Sequence, residues 1–224
     1  DGIEGGCAVI MDVETGAIRA MANLKKNSRN ELGEYLNMAI GRPGEPGSIF
    51  KAVTLSILLE DGKVDLSTKI PTRHGRIEEM SEIAADRYIT DWERKYGTST
   101  ISVQDGFKIS SNYVFRRLVL DHYKDNPKKF IDRLYEYRLN DAYTFDLEEK
   151  GGTKSRVPDP SSASWSRSTL PSTAIGYSVM ETPLNIVTFY NAVANNGKLM
   201  KPYLIESHEK DGRTVKKFGP EILN

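Results

Sequence analysis

The chain has 224 residues, enough to bury a substantial core in one or two domains. Its 31 basic and 31 acidic residues balance to a formal net charge of zero, so nothing draws it globally toward nucleic acid or an anionic surface. Apolar residues make up 38%, outside the disordered range, and the longest nearly apolar run, Ala52 to Leu59, is far too short to span a bilayer.

In chain order, Cys7 to Val13 predicts a buried strand, Glu14-Thr15-Gly16 a turn, and Ala17 to Ala22 a returning strand. Asn23 to Pro46 is polar and rich in Gly and Pro, and predicts mostly loop. Ser48 to Asp61 is the strongest helix signal. Its apolar residues cover most of the circumference, which predicts burial on nearly all sides, and Gly62 is placed to end it. Ser102 with Asp105 predicts a capped short helix up to Ile109.

Ser110-Ser111-Asn112 then interrupts, and Tyr113 to Tyr123 predicts a second helix. Asn126-Pro127 starts another, through about Arg138. Gly151 to Pro171 has no periodicity, which predicts a long functional or mobile segment. Thr182-Pro183 caps a helix over Leu184 to Asn195, ended by Gly197. A short strand around Tyr203 to Ser207, a turn at Asp211-Gly212 and a return over Val215 to Phe218 complete the reading. No internal repeat or low-complexity tract is present.

Cys7 is the only cysteine, which excludes an internal disulfide and a cysteine-based zinc site; it reads as a small buried apolar residue. His74, His122 and His208 show no ligand spacing, so no metal is expected. The glycines from Gly41 to Gly47 precede a helix, but no Lys-Ser/Thr follows them as a phosphate loop requires. No signal peptide or anchor is readable at Asp1. Either the protein is cytosolic or a leader precedes this chain.

The residues that carry chemistry lie in Glu45-Pro46-Gly47-Ser48-Ile49-Phe50-Lys51. On a helix, Ser48 and Lys51 face the same way. Burial would lower the lysine's pKa and make it a general base for the serine hydroxyl, and the helix start offers backbone N–H groups to an oxyanion. The bland alternative is an N-cap serine and a lysine that snorkels to solvent. Ser207-His208-Glu209-Lys210 fits the same spacing in a polar turn. Ser110 and Asn112 could project a proton relay and an amide into one cleft, or serve only as helix caps. Ser28-Arg29-Asn30 matches that pattern in a loop. Trp165 and Arg167 either border a substrate groove or are a packing tryptophan and a solvated arginine.

Together, a Ser-x-x-Lys on a buried helix and a downstream Ser-x-Asn are two parts of the penicillin-binding-protein and β-lactamase signature. The chain resembles the transpeptidase domain of a class B penicillin-binding protein, and within that class the division-specific type that makes septal peptidoglycan. Glu45 to Lys51 is similar to the nucleophile motif, with Ile49 where Thr is more usual, and Ser110-Ser111-Asn112 to the second motif. Met11 to Met21 resembles the opening hairpin, and Ile175-Gly176-Tyr177 through Gly197 the late helix. The third motif, Lys-Thr-Gly or Lys-Ser-Gly, is absent.

The resemblance implies an α/β (α+β) β-lactamase/transpeptidase-like fold, a helical subdomain plus an antiparallel sheet flanked by helices. Residues 1–224 would form a partial domain, with a membrane anchor and pedestal domain before Asp1 and the Lys-Thr/Ser-Gly strand after Asn224. It implies a serine D,D-transpeptidase that cross-links peptidoglycan stem peptides, with Ser48 as nucleophile, Lys51 as general base, Ser110 as proton relay and Asn112 binding substrate. Alternatives are a D,D-carboxypeptidase or β-lactamase-type hydrolase, or a non-catalytic β-lactam sensor or scaffold. No cofactor or metal is implied. Partners would be stem peptides, β-lactams, a lipid-linked glycan polymerase and division proteins, with no nucleic acid. The setting would be the outer side of the inner membrane, through a single-pass anchor. This chain alone is expected to acylate poorly or not at all, and its exposed strand edge to favour association.

Overall fold

The computed structural model describes residues 2, 4–143, 145 and 152–224. They divide into two units, one built from residues 1–44, 134–156 and 180–224, the other from 45–133 and 157–179.

The first unit opens with β1 (Gly5–Met11) and β2 (Ile18–Lys26), an antiparallel pair around the predicted turn. Asp12 fixes that turn, its carboxylate accepting from the Thr15 N–H at 3.0 Å and the Thr15 hydroxyl at 2.7 Å. The hairpin is longer than predicted, and Asn23 to Pro46 is not simply loop. It holds the end of β2, the short β3 (Leu32–Gly33) and α1 (Met38–Gly41), capped by Asn37. The sheet order is β1-β2-β3. The polar composition of this stretch hid strands paired at an exposed edge, where side chains need not be apolar.

The chain then builds the second unit. A 3-10 turn at Gly47–Phe50 leads into α2 (Lys51–Glu60). Phe50, Val53, Leu55, Ile57 and Leu58 are buried as predicted, but Ile49 and Leu59 reach solvent, so the ends of this helix are amphipathic after all. Lys63 N–H returns to the Leu58 carbonyl at 2.9 Å and closes the helix around Gly62. Residues 63–100 carry no sequence prediction. They form β4 (Lys69–Pro71), 3-10 turns at Arg73–Gly75 and Glu78–Met80, and α3 (Arg87–Tyr96), capped by Asp86. β5 (Thr100–Ser102) pairs antiparallel with β4.

α4 (Val103–Lys108) has the predicted Ser102 cap, whose Oγ accepts the Asp105 N–H at 3.0 Å. α5 (Asn112–Tyr123) is capped by Ser111. α6 (Pro127–Glu136) starts at the predicted proline and ends two residues before the predicted Arg138. Of the predicted unstructured segment, Gly151 lies outside the described residues. Within the rest, Arg156 bridges Met180 and α7 (Thr169–Thr173) begins before Pro171.

The first unit is completed by α8 (Pro183–Ala194), as predicted from Thr182-Pro183. Asn185 anchors it, its Nδ2 donating to the carbonyls of Leu139 at 3.2 Å and Asp141 at 2.9 Å. Met11, Ile18, Tyr143 and Leu184 form one buried apolar cluster of this unit. Glu181 is also buried here, and desolvation, opposed by the Ser155 hydroxyl, pushes its carboxyl up to about 8. The final hairpin is β6 (Ser207–Lys210) and β7 (Arg213–Lys217). It differs from the prediction: Tyr203 makes only an isolated bridge to Ala17, and the strand lies in the polar residues that follow. Among the described residues no helix is long and apolar enough to cross a membrane.

Candidate active site

All four sequence-predicted residues lie in the second unit. Ser48 is in the 3-10 turn that opens α2, and Lys51 is the first residue of α2. Lys51 is 1% exposed, so it does not snorkel. Its Nζ lies 3.0 Å from Ser48 Oγ, 3.0 Å from Ser110 Oγ and 2.6 Å from the Ser110 carbonyl oxygen. The structure thus brings Ser48, Lys51 and Ser110 together. Asn112 opens α5 just beyond, and its side chain makes no hydrogen bond among the described residues.

Burial is the main cause that lowers Lys51 to about 8. The Asp86 carboxylate opposes the shift and the Arg116 guanidinium adds to it. In the neutral form, the two N–H groups of Nζ can donate to the Ser110 carbonyl and hydroxyl oxygens, leaving the lone pair for the Ser48 O–H. Such an arrangement can draw the proton from a serine hydroxyl. Ser48 also sits where backbone N–H groups have no partner within the helix, the position that favours a developing oxyanion.

The serine-bearing turn is fastened by residues 174–178, a contact with no sequence signal. Gly47 N–H donates to the Gly176 carbonyl at 3.0 Å, and Ser178 N–H to Glu45 Oε1 at 2.9 Å. One helical stretch further on, Thr54 donates its hydroxyl to the Ala174 carbonyl at 2.9 Å. The approach is so close that a Cβ on Gly176 would lie 2.1 Å from the Gly47 carbonyl oxygen. At φ +82° it is also in the region that glycine alone enters readily.

The other candidates make contacts of their own or stand in other elements. Arg167 forms an exposed ion pair with Glu82 at 3.2 Å, the solvated role, and Trp165 is half-buried. Cys7 is half-buried rather than buried, and desolvation raises its thiol pKa. Ser28 and Asn30 lie in an exposed turn, and Ser207 to Lys210 in the terminal hairpin. Asp86 and Arg116 escaped the sequence reading, because their only relation to Lys51 is spatial.

Comparison with known proteins agrees with this geometry. Residues 6–222 match the family described as the penicillin binding protein transpeptidase domain. The chain is 28% identical over 228 residues to the penicillin-binding protein PbpB of Mycobacterium tuberculosis, covering 96% of this chain and 31% of that protein. It is 27% identical over 202 residues to the peptidoglycan D,D-transpeptidase FtsI of Escherichia coli, covering 87% and 31%. The chain therefore spans about a third of the length of these relatives.

Two solved structures share the fold. Penicillin-binding protein 2B of Streptococcus pneumoniae superposes with a TM-score of 0.79 at 22% identity, over 99% of this chain and 38% of that one. Penicillin-binding protein 3 of M. tuberculosis, solved in complex with aztreonam, does so with a TM-score of 0.73 at 24% identity, over 97% and 47%. With the family matched over residues 6–222 and Ser48, Lys51 and Ser110 in contact, the chain belongs to the penicillin-binding protein transpeptidase domain family.

Proposed function

We propose that the protein containing this chain is a serine D,D-transpeptidase that cross-links peptidoglycan stem peptides in cell-wall synthesis, in the division role. The observation that carries this reading is the placement of Lys51 Nζ 3.0 Å from Ser48 Oγ and 3.0 Å from Ser110 Oγ. The printed names of the relatives, a peptidoglycan D,D-transpeptidase among them, support the reaction class.

Ser48 Oγ attacks the carbonyl carbon of the penultimate D-alanine while its proton passes to Lys51 Nζ. The C–N bond to the terminal D-alanine then breaks, and the leaving amine takes a proton relayed through Ser110. An amine of a neighbouring stem peptide attacks the acyl-enzyme ester, forms the new amide and returns Ser48 to its hydroxyl form. Asn112 orients the amide of the acyl chain. A β-lactam follows the first half of this course and remains on Ser48, in keeping with the relative solved with aztreonam. No step requires a cofactor or metal.

The Lys-Thr-Gly strand, the pedestal and the membrane anchor belong, in this proposal, to the rest of the longer protein, which works on the outer side of the inner membrane. There it would meet a lipid-linked glycan polymerase and the division machinery.

The test is fluorescent penicillin with intact-mass and peptide mapping on the full-length protein. The label is expected on Ser48, with slow release, and Ser48→Ala is expected to stay dark. Labelling of Ser48→Ala as strong as the parent's would sink the assignment. Rapid turnover of the label would replace it with a hydrolase.

A further inference from the structure

Asp86 lies in a stretch without sequence prediction, yet three donors converge on its carboxylate. Oδ1 accepts the Tyr88 N–H at 3.0 Å, which caps α3. Oδ2 accepts the Ser111 hydroxyl at 2.8 Å and the Tyr113 N–H at 2.9 Å. One of the three donors thus comes from the residue after Ser110 and another from the first turn of α5. Ser111 is fully buried, and its Oγ accepts the Val114 N–H at 3.1 Å, so the same hydroxyl links Asp86 to the start of α5.

Ser110 has a φ of 54°, a conformation that a residue with a side chain adopts only when its surroundings hold it there. In that conformation its carbonyl and hydroxyl oxygens both reach Lys51, at 2.6 and 3.0 Å. Asp86 is itself fixed. Its N–H donates to the Gly75 carbonyl at 3.0 Å, and a Cβ on Gly75 would come within 2.6 Å of the Asp86 carbonyl oxygen. Glu93 of α3 braces the other side of that turn, accepting from the Thr72 hydroxyl and meeting His74 Nδ1 at 2.8 Å.

We infer that Asp86 is a positioning residue for acyl transfer, its carboxylate locking the Ser110-Ser111-Asn112 turn so that Ser110 presents both oxygens to Lys51. The inference rests on the transpeptidase reading above. Both carboxylate oxygens are needed. An Asn at this position caps α3 equally well through its carbonyl oxygen. Its NH₂ would then face the Tyr113 N–H, donor against donor. Among the described residues, Ser48 and Ser110 hydrogen-bond Lys51 and the charges that act on it are those of Asp86 and Arg116, of which Asp86 favours the protonated lysine.

The experiment measures the acylation rate of the full-length protein with fluorescent penicillin across pH, for the parent, Asp86→Asn and Ser111→Ala. Asp86→Asn is expected to acylate on the order of 10²-fold more slowly, the scale of a misplaced catalytic group. Its acidic limb is also expected to move to lower pH, because the lost charge no longer holds a proton on Lys51. Ser111→Ala keeps the charge and loses one tether, so its rate should fall about tenfold, the scale of one hydrogen bond, with the limb in place. Parent-like rates in both variants overturn the inference. So does an Asp86→Asn limb that coincides with the parent's, which would leave Asp86 a fold element only. If Asp86→Asn does not fold, Ser111→Ala decides alone, a parent-like rate overturning the inference and a tenfold loss supporting it. A parent that stays unlabelled is a different failure: it removes the transpeptidase reading, and this inference with it.

Discussion

The chain contains Ser-x-x-Lys twice, and the two copies have opposite fates. Ser48 and Lys51 straddle the junction of a 3-10 turn and a buried helix, with the lysine amine 3.0 Å from the serine oxygen. Ser207 and Lys210 are the ends of a bulged strand in the terminal hairpin, where Lys210 is exposed. On a helix, a spacing of three puts two side chains on one face; a strand's period of two gives that spacing no such meaning. Burial then does the rest, since only a lysine withdrawn from water is pushed toward its neutral form. The motif is thus a statement about secondary structure and burial, and the four letters alone carry little.

Replacing the two lysines should break the comparison most sharply. Lys51→Ala removes the proposed base, and general bases contribute about 10² to 10⁴ in rate, so acylation of the full-length protein should fall by roughly three orders of magnitude with its melting curve still cooperative. Lys210→Ala should acylate at the parent's rate. Near-normal acylation by Lys51→Ala would strip Lys51 of its role, and a loss in Lys210→Ala would mean that the hairpin matters in a way its exposure does not suggest.

A second pair of substitutions tests whether the surroundings of the serine matter as much as its neighbour. Gly176 and Gly212 both have positive φ, +82° and +71°. A Cβ at Gly176 would collide with the Gly47 carbonyl oxygen at 2.1 Å, whereas Gly212, in the terminal hairpin, has nothing within 4 Å. Gly212→Ala should therefore cost only the backbone strain, about 1–2 kcal/mol, and leave acylation unchanged. Gly176→Ala must push the Ser48 turn aside, and acylation should fall on the order of 10²-fold. Equal acylation in the two variants would show that the contact with Gly47 does not position the nucleophile.

Much of this architecture was legible in the sequence where local rules governed it. The capping residues Ser102 and Thr182, the prolines Pro127 and Pro183 and the break at Ser110-Ser111-Asn112 all announce themselves within one helical turn. Ser48 and Lys51 also fall within one helical turn, but their meeting with Ser110, 59 residues further on, was legible only through the family resemblance. What could not be read depends on long-range pairing. The strand predicted at Tyr203 to Ser207 follows the β-branched and aromatic residues, but the hairpin forms from polar residues around the Asp211-Gly212 turn instead. Asp86 carries no sequence prediction; in the fold it caps α3, and Ser111, 25 residues later, comes onto its second oxygen. Glu45, by contrast, stood inside the quoted motif, and its bond to Ser178 N–H gives that position a reason.

The smallest effect is also the most direct reading of what burial does to Lys51. Its pKa is lowered to about 8 from 10.5, so near neutral pH most of the population is still protonated and cannot accept the Ser48 proton. In the proposed reaction the reactive form is the deprotonated one, so the rate follows its fraction. Acylation should rise about tenfold per pH unit well below 8, bend near 8 and level above it. The sign is opposite to that of a buried carboxylic acid acting as a proton donor, whose reactive form is lost as pH rises. A lysine base fully exposed to water would put the bend near the ordinary lysine value instead. A profile flat from pH 6 to 9 would show that the proton goes elsewhere, and the difference between the two Ser-x-x-Lys copies would then lie in geometry rather than in the withdrawal of one lysine from water.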